Sequence, residues 1–341
     1  MRLPSPNSIY SIVVRCPNWI GDAVMATPAL EDIRNLFPSA RITVLASEPI
    51  AELLENLPCI DEFIIFSRAQ GEKTLEFNRI IQELKKREYD LGILLTRSFS
   101  SAWMYWKGNV RWRLGFKDHW RSLLLNIAVS LPKEEEHDVF TYRKLLSPFG
   151  LMAATRQPML VVTEDEKAQM QKTLQPLCKD KDLIVLNPGA AYGSAKCWPK
   201  ERFRGVAEAL LTQGKSVIFI GDAKTRALID EIMDGLSGPV FNFAGRTTIR
   251  QLIALLYFSR VVVSNDSGPM HIAAALGKPL VAIFGSTNPK RTGPFATGLV
   301  IKKEIPCSPC YKRVCPKNFE CMTSISVEEV LEAIEKVYGN T

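Results

Sequence analysis

The sequence predicts an α/β protein made of two doubly wound, parallel-sheet domains, and three observations predict it. Short, continuously apolar runs alternate with stretches of helical pattern, as expected for strands whose sheet is covered by helices on both faces. The alternation pauses at a polar stretch, Thr163 to Lys181, and then starts afresh. The chain of 341 residues has the length of about two domains at roughly 100–200 residues each.

The first set opens with an apolar run, Ile9–Arg15, followed by a helical pattern over Asp22–Phe37. Three further pairs follow: Arg41–Leu45 with Glu48–Leu57, Glu62–Phe66 with Leu75–Arg87, and Leu91–Leu95 with another helical stretch. The second set has strands at Leu183–Asn187, Ser216–Ile220, Val240–Phe243, Val261–Ser264 and Leu280–Phe284, with helical patterns between them. Strand–helix alternation of this kind implies right-handed βαβ units and open parallel sheets. Ser326 to Tyr338 reads as a closing amphipathic helix, with Ser326 as N-cap and Glu329 in the capping-box position. The expected domains are 1–163 and 164–341, facing each other across a cleft.

Composition narrows the class. Hydrophobic residues at 46% and charged residues at 23% suit a soluble globular protein with sizeable cores. No apolar run approaches the roughly 20 residues of a membrane helix, and the N-terminal stretch, broken by Arg15, lacks the form of a signal peptide. A cytoplasmic location is therefore expected. The net charge of +7 permits an anionic partner without naming one. Eight cysteines in such a chain argue against a disulfide framework. Four of them, Cys307, Cys310, Cys315 and Cys321, fall in one stretch. The first two have half of a zinc-ribbon spacing, but the second two stand too far apart. An ordered, reduced loop is expected there, with no metal and no cofactor.

Ligands of open parallel sheets bind beyond the carboxyl ends of the strands, so the loops after strands are where chemistry should appear. The loop from Asn187 to Trp198 is rich in small residues and carries Lys196. It suits either a phosphate cradle or a plain strand-to-helix connection. After the strand at Val261 come Asn265-Asp266-Ser267-Gly268-Pro269 and, one turn later, His271. Pro269 suits the first turn of a helix, and Ser267 or Asp266 could simply cap it. Gly268 permits close backbone approach, and a helix N-terminus attracts a diphosphate. Asp266 could accept bonds from sugar hydroxyls, and His271 is either structural or a ligand contact. In the first set the matching place is Arg15-Cys-Pro-Asn-Trp-Ile-Gly21-Asp22. There the chain is expected to turn at Gly21 and present Asp22 either to the helix dipole or to a substrate as a general base.

Between these lies a basic, aromatic segment: Lys107, Arg111, Arg113, Lys117 and Arg121 among Trp103, Tyr105, Trp106, Trp112 and Trp120. It is either a solvated basic face or a place for an anionic, sugar-bearing or membrane-bound partner.

The stretches RCPNWIGDAVMATPAL and SNDSGPMHIAAALGKPLVAIFGSTNP, with KCWP and PCSPCYKRVCP, resemble the glycosyltransferase family 9 heptosyltransferases of lipopolysaccharide core assembly. The resemblance runs from about Ile12 to Val330. It implies the GT-B architecture and metal-free, inverting transfer of heptose from ADP-heptose to a Kdo-lipid A core, at the cytoplasmic face of the inner membrane. By position it implies Asp22, beside Gly21, as the catalytic carboxylate. It places Lys196 at the donor phosphates, Asp266, Ser267, Gly268 and His271 in the donor loop, and Asp222 near the ribose. Arg113 and Arg121 would then meet the anionic acceptor. Two other classes fit less well. A nucleotide-sugar epimerase of the same fold would need no lipid acceptor. A non-enzymatic anion or nucleic-acid binder would show strongly salt-dependent DNA affinity, and no nucleic-acid partner is expected.

Overall fold

The computed structural model describes residues 3–67, 73–151, 156–178 and 182–339. The chain divides into two compact units, Met1–Val161 and Val162–Thr341.

In the first unit β1 (Ser11–Arg15) is followed by α1 (Ile20–Met25) and α2 (Thr27–Leu36), then by β2 (Arg41–Ser47), α3 (Glu48–Leu54), β3 (Glu62–Phe66), α4 (Lys73–Arg87), β4 (Leu91–Leu94), α5 (Phe99–Lys107), β5 (Trp112–Phe116), a 3-10 turn (His119–Leu124), β6 (Ile127–Val129) and α6 (Asp138–Lys144). The expected single helix over Asp22–Phe37 is in fact two. Pro28, near the start of α2, has no N–H to give to the Val24 carbonyl, and the Thr27 hydroxyl takes that carbonyl at 2.8 Å. The basic aromatic segment is likewise divided between a helix, a strand and a 3-10 turn.

The second unit opens with α7 (Glu164–Cys178), so most of the expected polar stretch is helical; its last residues, 179–181, lie outside the described residues. A capping box explains the helix start: the Thr163 and Glu166 side chains each bond the other's backbone N–H, at 3.3 and 2.8 Å. Then come β7 (Leu183–Asn187), α8 (Lys200–Thr212), β8 (Ser216–Phe219), α9 (Arg226–Met233), β9 (Val240–Asn242), α10 (Ile249–Phe258), β10 (Val261–Asn265), α11 (Gly268–Ala275), β11 (Leu280–Phe284), α12 (Pro289–Thr292), β12 (Leu299–Lys302), α13 (Glu320–Thr323) and α14 (Val327–Tyr338). The capping box expected of Ser326 and Glu329 is present on α14.

Each unit holds a six-stranded, wholly parallel sheet, ordered β3-β2-β1-β4-β5-β6 in the first and β12-β11-β10-β7-β8-β9 in the second. Both are the order 3-2-1-4-5-6 of a doubly wound fold. The central strands are fully buried (Ile12, Val13, Val14; Val261, Val262, Val263), as a sheet covered on both faces requires. The order in which strands are added reverses between β1 and β4 in one unit and between β7 and β10 in the other. These switch points leave a crevice at the carboxyl edge, and the loops that border it carry the candidate residues.

Candidate functional site

In the second unit the loops after β7 and β10 are fastened to each other. Asn187, the last residue of β7, donates from Nδ2 to the hydroxyls of Ser264 (2.9 Å) and Ser267 (2.7 Å). Asn265 at the end of β10 reaches the other way, donating to the Pro188 carbonyl at 2.7 Å and accepting from the Trp198 N–H at 3.0 Å. Trp198 is buried, donates its indole N–H to the Ile325 carbonyl and packs edge-on against Phe203. The loop between is thereby pinned at both ends.

Inside this frame Lys196 Nζ lies 2.6 Å from a carboxylate oxygen of Asp266 and 4.9 Å above the Tyr192 ring. The Thr287 hydroxyl donates to the same Asp266 oxygen. Asp266 is 4% exposed, so its charge is matched rather than solvated, as a buried carboxylate requires. Neither Asp266 nor Ser267 caps α11: Asp266 is taken by Lys196 and Thr287, and Ser267, at the N-cap position, makes no side-chain cap bond. The N-terminus of this eight-residue helix, beginning at Gly268, keeps its partial positive charge facing the crevice edge. His271 lies one turn in and is buried. Asp222 follows β8, is exposed, and accepts from the N–H and hydroxyl of Thr225, capping its own turn.

The cysteine stretch lies against this frame. The Tyr192 hydroxyl donates to the Tyr311 carbonyl at 2.8 Å, the Ala195 N–H to the Arg313 carbonyl at 3.0 Å, and the Tyr311 N–H to the Ser286 carbonyl at 2.7 Å. Gly193 has φ +155°, and a Cβ there would lie 2.3 Å from the Arg313 carbonyl oxygen, so only glycine lets the two segments meet. All the cysteines are free thiols. Burial pushes the Cys321 thiol up, and neighbouring Cys315, Cys307 and Cys310 add to it. Among the described residues no group of three or more His, Cys, Asp or Glu is arranged to hold a metal ion.

In the first unit Asp22 is the third residue of α1, half-buried at the carboxyl end of β1. Gly21 is already helical there, so the turn precedes it, at Pro17–Trp19, and does not depend on glycine. Arg15 fixes this loop by donating to Asn18 Oδ1 at 2.7 Å while stacking over Phe66. Beside α1 stands α6, whose Tyr142 the sequence did not single out. Burial raises the Tyr142 phenol well above its usual value, the Asp22 and Asp138 carboxylates raise it further, and Arg97 opposes them. The phenol therefore stays protonated, within electrostatic reach of Asp22 across the packing of α6 on α1.

Arg113 and Arg121, expected to meet the acceptor, are both engaged by backbone carbonyls. Arg121 is 2% exposed and donates to the Phe116 and Thr96 carbonyls at 2.6 and 2.7 Å. Arg113 is half-buried and donates to the Leu124 and Val110 carbonyls, each at 2.7 Å. Burial pulls the Arg121 guanidinium down to about 10. Both arginines tie the 3-10 turn and β5 together, because the segment's loop carbonyls need donors that its apolar neighbours cannot supply.

With this geometry in place, the likeness to known proteins is specific. The model of glycosyltransferase family 9 (heptosyltransferase) matches residues 77–319. The chain is 32% identical to lipopolysaccharide heptosyltransferase 2 of Salmonella typhimurium over 84% of its own length and 85% of that protein's. The solved structure of Escherichia coli ADP-heptose LPS heptosyltransferase II superposes with a TM-score of 0.84 at 28% identity, covering 97% of this chain and 99% of that one. A family 9 glycosyl transferase of Veillonella parvula superposes at 0.86 with 24% identity, over 97% and 98%.

Proposed function

The chain belongs to glycosyltransferase family 9, and from that premise we propose that it transfers heptose from ADP-heptose to the inner-core heptose of lipopolysaccharide, the activity of a heptosyltransferase II. The observation that carries the proposal is the pair of crevices. The same topological position holds a half-buried carboxylate in the first turn of a helix in one unit, and a cation with an open helix N-terminus in the other.

The second unit takes the donor. The diphosphate sits at the start of α11, where the helix dipole, backbone N–H groups and Lys196 offset the charge that grows on the leaving ADP. Asp266 orients Lys196 and offers its remaining acceptor capacity to a sugar hydroxyl. The first unit takes the acceptor, a Kdo-lipid A core. Asp22 accepts the proton of the acceptor hydroxyl as that oxygen bonds to the anomeric carbon of heptose, on the face opposite ADP. The old anomeric bond breaks with its electron pair going to the ADP oxygen, and the configuration inverts. Transfer by this route needs no metal. Because the acceptor is lipid-anchored, the enzyme works at the cytoplasmic face of the inner membrane; among the described residues no helix is long and apolar enough to cross it.

An epimerase shares the fold, but the relatives at about 30% identity over most of the chain are heptosyltransferases. The test is incubation with ADP-heptose and cores truncated before or after the first heptose, read by mass spectrometry. One added heptose, only on the core that already carries one, is expected. Epimerised or hydrolysed nucleotide sugar with no transfer to any core overturns the proposal.

A further inference from the structure

We propose that the aromatic stripe of α5, continued by the 3-10 turn beside it, is the surface by which this chain docks on an anionic lipid bilayer. Helix α5 buries Ser101, Ala102, Met104 and Tyr105. Its opposite face, where a surface helix ordinarily carries polar groups, presents Phe99, Trp103 and Trp106, at 49, 36 and 42% exposure. The three rings form a ladder, Phe99 on Trp103 at 6.1 Å and Trp103 on Trp106 at 5.1 Å, and the Lys107 ammonium lies 5.1 and 4.9 Å over the two indoles. The 3-10 turn packs against this helix and adds Trp120 and Leu123, each 76% exposed.

Charge decides what covers the stripe. With Arg113 and Arg121 turned inward, the cations left exposed along the segment are Arg97, Lys107, Arg111 and Lys117, and the neighbouring acid is Asp118, beside His119. Indole rings that are apolar with one polar edge partition to the headgroup level, and lysine or arginine around them is drawn to anionic lipid. A second copy of this chain would set the same cations against one another across a two-fold interface, which favours the bilayer as occupant. The stripe begins at Phe99, just past the carboxyl end of β4, at the sheet edge that also bears Asp22. The proposal rests on the heptosyltransferase reading in one respect, that a lipid-anchored acceptor puts the substrate on such a surface.

The test is co-sedimentation of the full chain with phosphatidylcholine vesicles, with and without phosphatidylglycerol. Binding that needs the anionic lipid and weakens with salt is expected. Trp103→Ser with Trp106→Ser should weaken it at least tenfold. Trp120→Ser with Leu123→Ser, at largely exposed positions, should weaken it severalfold without loss of fold by circular dichroism. Turnover on a deacylated, soluble core should be unchanged in both double variants, whereas failure of the heptosyltransferase reading would abolish that turnover in the wild type and leave vesicle binding intact. Wild-type binding indifferent to lipid charge, or double variants that bind like the wild type, overturns the proposal. So does a wild-type oligomer that the variants dissociate while vesicle binding persists.

Discussion

The two units wind their strands in one order and end in the same crevice, yet they furnish it in opposite ways. In the second unit, side chains at the ends of β7 and β10 bond to each other, the lysine is matched to a buried carboxylate, and a helix N-terminus is left without a side-chain cap. In the first unit, a half-buried carboxylate stands within electrostatic reach of a protonated phenol, and the arginines of the basic segment hold loop carbonyls. Winding order fixes where a ligand can sit. In the proposed mechanism the loop residues decide whether that place holds an anion or removes a proton.

The sharpest way to break this contrast is Asp22→Asn. The amide keeps the shape of the α1 start but takes no proton, and positioned base catalysis contributes about 10²–10⁴-fold. We expect kcat to fall by that factor while ADP affinity and melting temperature hold. Near-normal turnover would reduce Asp22 to a helix-dipole residue and erase the difference between the crevices.

The next largest effect belongs to the donor side. Lys196→Ala removes a charge-assisted hydrogen bond worth roughly 1.5–3 kcal/mol, so the Kd for ADP should rise about ten- to a hundredfold by calorimetry. Asp266→Asn is the companion. It frees Lys196 from its partner and removes a negative charge from the diphosphate's surroundings, so ADP should bind at least as tightly. Weaker binding in Asp266→Asn would mean that the ion pair, rather than the lysine charge, shapes the cradle.

Arg121→Met tests whether the inward arginines serve the fold. Two carbonyls lose their donor, which costs about 1–3 kcal/mol and about 2–4 °C of melting temperature per kcal/mol in a unit of this size. ADP affinity should not change, and turnover per folded molecule should persist. A raised acceptor KM with an unchanged melting temperature would restore Arg121 to the acceptor site.

The smallest effect lies at the opposite edge of the second sheet, where Lys215 and Asp182 form an ion pair. Hydrogen bonds from Lys215 and then Tyr338 hold the Asp182 carboxyl below its usual value. A lowered carboxylate pKa stabilises the fold above the unfolded value near 3.9 and loses that contribution as pH falls through the folded one. Asp182 is about 39% exposed, so solvent screens the pair to well under 1 kcal/mol. Denaturation midpoints of wild type and Asp182→Asn should differ slightly at pH 6 and converge in acid.

The strands legible in sequence were those buried on both sides: Val13, Val185 and Val262 stand in unbroken apolar runs. Strands β5, β6 and β12 went unread because they lie toward the sheet edges and mix charge or exposure into the pattern, as Arg113, Leu299 and Val300 show. That Asp22, Lys196 and Asp266 stand past strand ends was legible because the apolar runs stop before them. Their company was not. Tyr142 reaches the neighbourhood of Asp22 from 120 residues away, through the packing of α6 on α1, and Thr287 reaches Asp266 from the next strand end. The burial of Arg121 was hidden for the same reason, since nothing local distinguishes a guanidinium that will meet carbonyls from one that will meet solvent.

The clasp on Gly193 has a consequence for synthesis. The Tyr192 hydroxyl is held by a carbonyl 119 residues further along the chain. At roughly 5–20 residues per second, a ribosome completes β7 and its loop on the order of ten seconds before the segment that closes over it. Through that interval the nascent second unit can pair its early strands but cannot give the loop its finished shape. The finished loop is thus acquired near the end of translation, and a messenger cut short before the cysteine stretch yields a sheet whose Asn187–Trp198 loop lacks the Tyr311 and Arg313 carbonyls that hold it.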